Sequence, residues 1–247
     1  MKTKIINTIL IILVLQGCSK KNIDTELLGN WSSTKSSNIV DLQFFEDSLV
    51  TDTWDRKTKF SWKSNASKIY YTQLTNLDSK LETDFIFDYK LNSQKDTLYL
   101  KKETDSSFTN QFLKINNAYQ YFEKNINLNI NLLNKESELI SSGNKKFDFN
   151  IYLGYKNGQI IAKTDNSINL NRIEIYDLIS STNDSEINKI KYLLFTDKKI
   201  PEKQVDSIKK ILRETSIKKI FRVYTNENVD YKKNHWKTEL NWFGKYE

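Results

Sequence analysis

The stretch LLFTDKKIPEKQVDSIKKILRETSIKKIFRVYT, Leu193 to Thr225, breaks the rhythm of a chain otherwise written as short alternating strands. Ile190 to Phe195 is continuously apolar and β-prone, which predicts a buried strand. Pro201 follows a polar turn and suits the first turn of a helix, where a missing N–H costs nothing. Val205, Ile208, Ile211 and Leu212 then form an apolar stripe, with Lys203, Lys209, Lys210 and Arg213 falling mainly elsewhere. Ile220, Phe221, Val223 and Tyr224 supply a second strand. A strand–helix–strand unit this short predicts two parallel strands packed under one helix.

Upstream, Phe147, Phe149, Ile151, Leu153 and Tyr155 alternate, Asn157-Gly158 interrupts, and Ile160-Ile161-Ala162 resumes. Asn-Gly between such runs predicts a hairpin, because both central residues of a type I′ turn need positive φ. Ile173, Tyr176, Leu178 and Ile179 are near helical spacing, with Ser167 or Asn169 as the candidate cap. From Phe147 to Thr225 the chain resembles the periplasmic domain of the ExbD/TolR family. The carriers are the NGQI turn, the INL entry to the first helix, and Asp197, Pro201, Val205, Ile217 and Lys219 in the quoted stretch. The resemblance implies a compact α/β module that dimerises and contacts envelope proteins or peptidoglycan. Thr215-Ser216 stands where the family usually has a helix-ending glycine. The family's N-terminal transmembrane helix and its aspartate are not matched here, so proton-motor work is not carried over.

Residues 27–116 read differently. Val40, Leu42 and Phe44 alternate; so do Phe60 and Trp62, Ile69 and Tyr71, Phe85, Phe87 and Tyr89, then Leu98 and Leu100, before Phe112 to Ile115. Strands at this spacing with polar turns predict a β-barrel or sandwich. Gly29-Asn30-Trp31 ahead of the series resembles the Gly-x-Trp opening of lipocalin-like barrels, which implies that Trp31 closes one barrel end. Phe44, Trp54, Trp62, Tyr71 and Phe87 either line a pocket for a small apolar ligand or fill the barrel, and filling is the expectation for so small a domain. The fold class expected is therefore α+β, a small antiparallel barrel followed by a compact α/β domain.

The chain opens MKTKIINTILIILVLQGCSKKN. Its apolar run is shorter than the roughly 20 residues of a spanning helix, and reads as a signal peptide over residues 1–17. Leu15-Gln16-Gly17-Cys18 resembles the lipobox of bacterial lipoproteins, which implies cleavage before Cys18 and acylation of its thiol. Two or three acyl chains anchor a protein stably without crossing the bilayer. Ser19, in place of aspartate, points to the outer membrane facing the periplasm, with surface display open. Residues 18–26 form a lipidated tether, 27–116 the barrel, 117–146 a linker or extra strand, and 147–247 the α/β domain with an aromatic tail (Trp236, Leu240, Trp242, Tyr246). That tail reads as a packed edge strand or an aromatic, basic contact surface.

The formal charge is +7, and Lys2 and Lys4 leave with the signal, but the lysines are scattered among acids. That pattern is a solvated surface rather than a nucleic-acid stripe, with anionic lipid or cell wall as the charged partner. His235 is the only histidine and Cys18 the only cysteine, so no Ser/His/Asp, Cys/His or zinc-ligand set can be assembled. Gly-rich phosphate loops are absent and no carboxylate pair stands out. The expectation is a protein that is not an enzyme, with no catalytic residue, metal or cofactor: a lipid-anchored scaffold or binding module for an envelope complex or the cell wall. The alternative is a lipocalin-like carrier of a small hydrophobic ligand.

Overall fold

The computed structural model describes residues 23–34, 39–53, 56–73, 84–135, 147–165, 169–170, 172–180, 182–215, 217, 219–225, 229–230 and 235–242. Residues 1–17, expected to be a signal peptide, and Cys18, with Trp54, Ser167 and Tyr246, lie outside them.

Eight antiparallel strands close a barrel: β1 (Gly29–Ser33), β2 (Ile39–Phe44), β3 (Leu49–Thr53), β4 (Lys57–Ser64), β5 (Lys68–Gln73), β6 (Asp84–Leu91), β7 (Thr97–Lys102) and β8 (Asn110–Lys114). Each strand pairs with its sequence neighbour, and β8 returns to β1 with Ser32 opposite Leu113, so the barrel leaves no open edge. The alternation that marked the strands now has a cause. Phe60 and Trp62 face the interior while Lys59 and Lys63 face water, as a period of two requires.

A second, five-stranded mixed sheet follows, ordered β10-β9-β11-β12-β13: β9 (Asp148–Lys156), β10 (Gln159–Thr164), β11 (Lys191–Thr196), β12 (Ile220–Thr225) and β13 (Leu240–Trp242). At the β9–β10 hairpin Asn157 and Gly158 have φ of 51° and 79°, the paired positive values of a type I′ turn. β11 and β12 are parallel, joined by a helix over Glu202–Arg213. Pro201 sits at that helix's N-cap rather than inside its first turn. Val205 and Leu212 are buried against the sheet beside Tyr192, Leu194 and Ile220. A shorter helix, Arg172–Ser180, contributes Ile175 to the same core. Thr215 ends the longer helix without a glycine: its hydroxyl donates to the Leu212 carbonyl at 2.7 Å and lies 3.0 Å from the Tyr192 hydroxyl.

Residues 117–135 are not a free linker, and they are no regular extra strand. They form α1 (Ala118–Tyr121), a π turn over Phe122–Ile126, and an extended run tied to the sheet through isolated bridges. With α1 named, the helices over 172–180 and 202–213 are α2 and α3. Asn127, in left-handed conformation (φ 57°), ends the π turn, a geometry asparagine tolerates. Ile126, Leu128, Ile130 and Leu132 alternate because all four face the sheet side that α2 and α3 leave open. They pack there on Tyr152, Leu193, Phe195 and Val223. Gly154 permits this close approach: a Cβ there would lie 2.5 Å from Ile130 Cγ1 and 2.8 Å from the Asn129 carbonyl oxygen. Asp197 fixes the run's far end, its carboxylate accepting from the Asn131 amide at 2.7 Å and the Lys199 amide at 2.8 Å.

Candidate ligand-binding site

One end of the barrel is sealed by backbone and side chains acting together. Asp24 caps a turn of 3₁₀ helix over Thr25–Leu27, accepting from the Glu26 amide at 3.0 Å and from the Tyr89 hydroxyl at 2.7 Å. Trp31, fully buried, donates from its indole Nε1 to the Leu27 carbonyl at 2.7 Å. Lys114 lies over the Trp31 ring, 5.2 Å from its centroid, and donates to the Glu26 carbonyl at 3.0 Å. Trp31 thus has the closing position expected of it.

The interior beyond that plug is largely packed by its own core, as expected for so small a barrel, but not completely. A cavity of about 320 Å³ lies among Leu42, Phe44, Leu49, Ile69, Leu100 and Phe112. The reason is the disposition of the aromatic rings. Tyr71 stacks on Phe85 (5.1 Å) and Phe87 (5.4 Å), and Phe60 meets Tyr71 edge-on at 4.9 Å. The rings satisfy one another against one wall and leave the centre open. Trp62 is occupied elsewhere, packed edge-on to Phe44 with its indole donating to the Phe45 carbonyl at 2.7 Å. Lys102 and Asn110 complete the lining at the end opposite the Thr25–Leu27 plug, where β7 turns into β8. Sequence reasoning named Phe44, Tyr71 and Phe87, and missed Lys102 and Asn110. Both share the inward parity of Leu98–Leu100 and Phe112, the one signal that marks them.

A second polar cluster joins barrel to sheet. Asp41, on the outer face of β2, is 1% exposed. Its carboxylate accepts from the Ser32 hydroxyl at 2.6 Å and from the Lys237 ammonium, and His235 Nε2 is 3.8 Å away. Burial opposes the Asp41 charge, but Lys237 and His235, with hydrogen bonds from Lys237 and Ser32, outweigh it and hold the carboxyl below its ordinary range. Trp236 stacks on Tyr121 at 4.5 Å in the same contact. Part of the aromatic tail is therefore a tie between the two sheets: a 3₁₀ turn over Trp236–Glu239 leads into edge strand β13.

Among the described residues no group of three or more His, Cys, Asp and Glu side chains is placed to hold a metal ion, and no helix is long and apolar enough to cross a membrane. No family model matches the chain, and no solved structure matches it. The ExbD/TolR-like assignment of the second domain gains nothing from these comparisons; what stands is a barrel and a second sheet with few helices. Among curated proteins the chain is similar to the CRISPR-associated endoribonuclease Cas13a of Leptotrichia wadei, 26% identical over 206 residues. The match covers 77% of this chain and 17% of the relative's length. It corrects the expectation that the chain is not an enzyme. That expectation rested on missing His and Cys constellations, which bears on those mechanisms alone; carboxylates also serve as general acids and bases, and the chain has 31 Asp and Glu.

Proposed function

We propose that this is a lipid-anchored cell-envelope protein whose barrel binds a small, predominantly apolar molecule. The cavity of about 320 Å³ carries the reading. It falls within the size of pockets that enclose small ligands, about 300–1,000 Å³, and its lining is mostly aliphatic and aromatic. An eight-stranded barrel is the size that holds one such ligand. The lipocalin-like opening at Gly29-Asn30-Trp31 supports the same class, and the lipobox-like Leu15–Cys18 supports the anchor. Titration of the acylated or tag-purified chain with the uncharged dye Nile red tests it. Saturable one-to-one binding in the wild type, abolished by filling the cavity with Leu100→Trp, is expected; binding that is absent, or indifferent to Leu100→Trp, refutes it. Incorporation of a labelled fatty acid, lost in Cys18→Ser, tests the anchor.

A second reading is docking of the sheet domain to an envelope protein or peptidoglycan, as the ExbD/TolR resemblance implies. It draws on α2, where Ile173 is 72% and Tyr176 52% exposed. Crosslinking from intact cells, lost in Ile173→Asp/Tyr176→Asp, is the expected result; unchanged crosslinks count against it.

A further inference from the structure

The cavity's polar groups are few and lie where they can select a head group. Among its lining residues Lys102 is the one charged side chain, and no carboxylate joins it. Apart from Lys59, which faces water on the outer side of β4, the barrel's other described lysines have partners: Lys57 with Asp52, Lys68 with Glu103, Lys95 with Glu26, Lys101 with Asp88. Lys63, Lys90 and Lys114 lie over aromatic rings. Lys102 has no such partner among the described residues: Glu103, next to it in sequence, is taken by Lys68 at 2.5 Å, and Asp105 accepts only the Lys102 backbone amide, at 3.3 Å. Tyr71 is more than nine-tenths buried, and its hydroxyl has no hydrogen-bond partner among the described residues although its ring is fully engaged. Burial pushes that phenol above its ordinary range, so it stays a neutral donor at physiological pH. Asn110 likewise has no side-chain partner among the described residues, and it lines the same end.

A hydroxyl and an amide without partners, with an ammonium exposed at the mouth, all border one apolar pocket and form a donor set for an acceptor. We propose that the ligand is an amphiphile with one anionic head, a medium-chain carboxylate in type, its apolar chain among Leu42, Leu49, Ile69 and Phe112 and its head held by Lys102, Tyr71 and Asn110. This rests on reading the barrel as a binding site. A pocket of about 320 Å³ is at the small end of those that enclose ligands, so a medium-length chain such as decanoate is the probe of choice. Ionised acceptors strengthen each donor contact, and the low dielectric of the cavity adds to this.

Displacement of bound Nile red by decanoate, decanol and decylammonium at pH 7.5 tests the assignment on the full mature chain. Decanoate is expected to displace the dye at about tenfold lower concentration than decanol, and decylammonium to be weakest. Lys102→Gln brings decanoate and decanol to parity, Tyr71→Phe weakens decanoate several-fold and leaves decanol unchanged, and Lys59→Gln, on the outer face of β4, changes nothing. Equal displacement by decanoate and decanol in the wild type overturns the head-group assignment and leaves the cavity reading intact. So does a preference that survives Lys102→Gln or is lost equally in Lys59→Gln. Failure of Nile red itself to bind overturns the carrier reading beneath it.

Discussion

Replacing Lys237 by methionine should loosen the tie between the barrel and the second sheet. The substitution keeps most of the aliphatic stem and removes the ammonium. Asp41, 1% exposed, would retain the Ser32 hydroxyl at 2.6 Å and His235 at 3.8 Å, but lose its cation. Breaking a fully buried pair by removing one partner costs about 3–5 kcal/mol, and an exposed pair is worth about 0–1 kcal/mol. The Lys237 side chain is 30% exposed, so its end of the pair is partly hydrated and the expected loss is intermediate, about 2–3 kcal/mol. In a chain of this size that lowers the melting temperature by about 5–10 °C. Urea unfolding followed by tryptophan fluorescence and far-ultraviolet dichroism measures it, with Asp41→Asn and the double variant completing a cycle. The pH dependence follows from the lowered Asp41 carboxyl. Folding favours its ionised form, so the contribution is whole above its ordinary value of 3.8 and is lost as pH falls through the lower folded value. The gap between wild type and Lys237→Met should close in strong acid, as Asp41 is protonated. A loss below about 0.5 kcal/mol, or a gap unchanged below the Asp41 titration, would refute the reasoning.

Gly154→Ala should cost about 1–3 kcal/mol, since the new methyl meets Ile130 and the Asn129 carbonyl; thermal melts read the loss, and Ile130→Ala in the same chain should recover part of it. Gly158→Ala finds open space and meets only the penalty of positive φ, about 1–2 kcal/mol, so its melting shift should be the smaller of the two. Trp31→Ala removes the ring under Lys114 and the bond to Leu27, and should cost about 3–5 kcal/mol by urea titration. Asp197→Ala strands the Asn131 and Lys199 amides, about 1–3 kcal/mol, with faster hydrogen exchange at Asn131 as its local sign.

Where a side chain's direction follows from local periodicity, the sequence was readable. Phe85, Phe87 and Tyr89 alternate because a barrel wall has two faces, and Asn157-Gly158 announces its hairpin because few other pairs accept that backbone. What remained hidden depends on residues far apart. Asp41 reads as an outward, solvated acid of an alternating strand, and only a lysine 196 positions later buries it. The segment 117–135 hid for a related reason: its alternation was visible, yet the surface it covers is assembled from β9, β11 and β12. The pocket stood as the less favoured of two readings because counting aromatic residues cannot tell a ring that fills a centre from one that stacks along a wall. Lys102 looked like one more surface cation among 38 Lys and Arg, and its inward parity gains meaning only once the barrel closes with a pocket at that end.

The apolar layer under the second sheet orders events in time. As the chain emerges, the barrel can close its hydrogen-bond circuit once Lys114 is available, because β8 is its last strand. The sheet has no such early closure. Phe122, Ile126 and Ile130 are made before the strands they cover, and Trp236, which completes that layer, comes more than a hundred residues after Ile130. Until it docks on Tyr121, a row of large apolar side chains beside a finished barrel faces solvent, a state prone to mispairing and chaperone capture. The molecule therefore divides into a half whose strand circuit is complete early and a late half whose apolar underside is sheltered by residues from both before and after it.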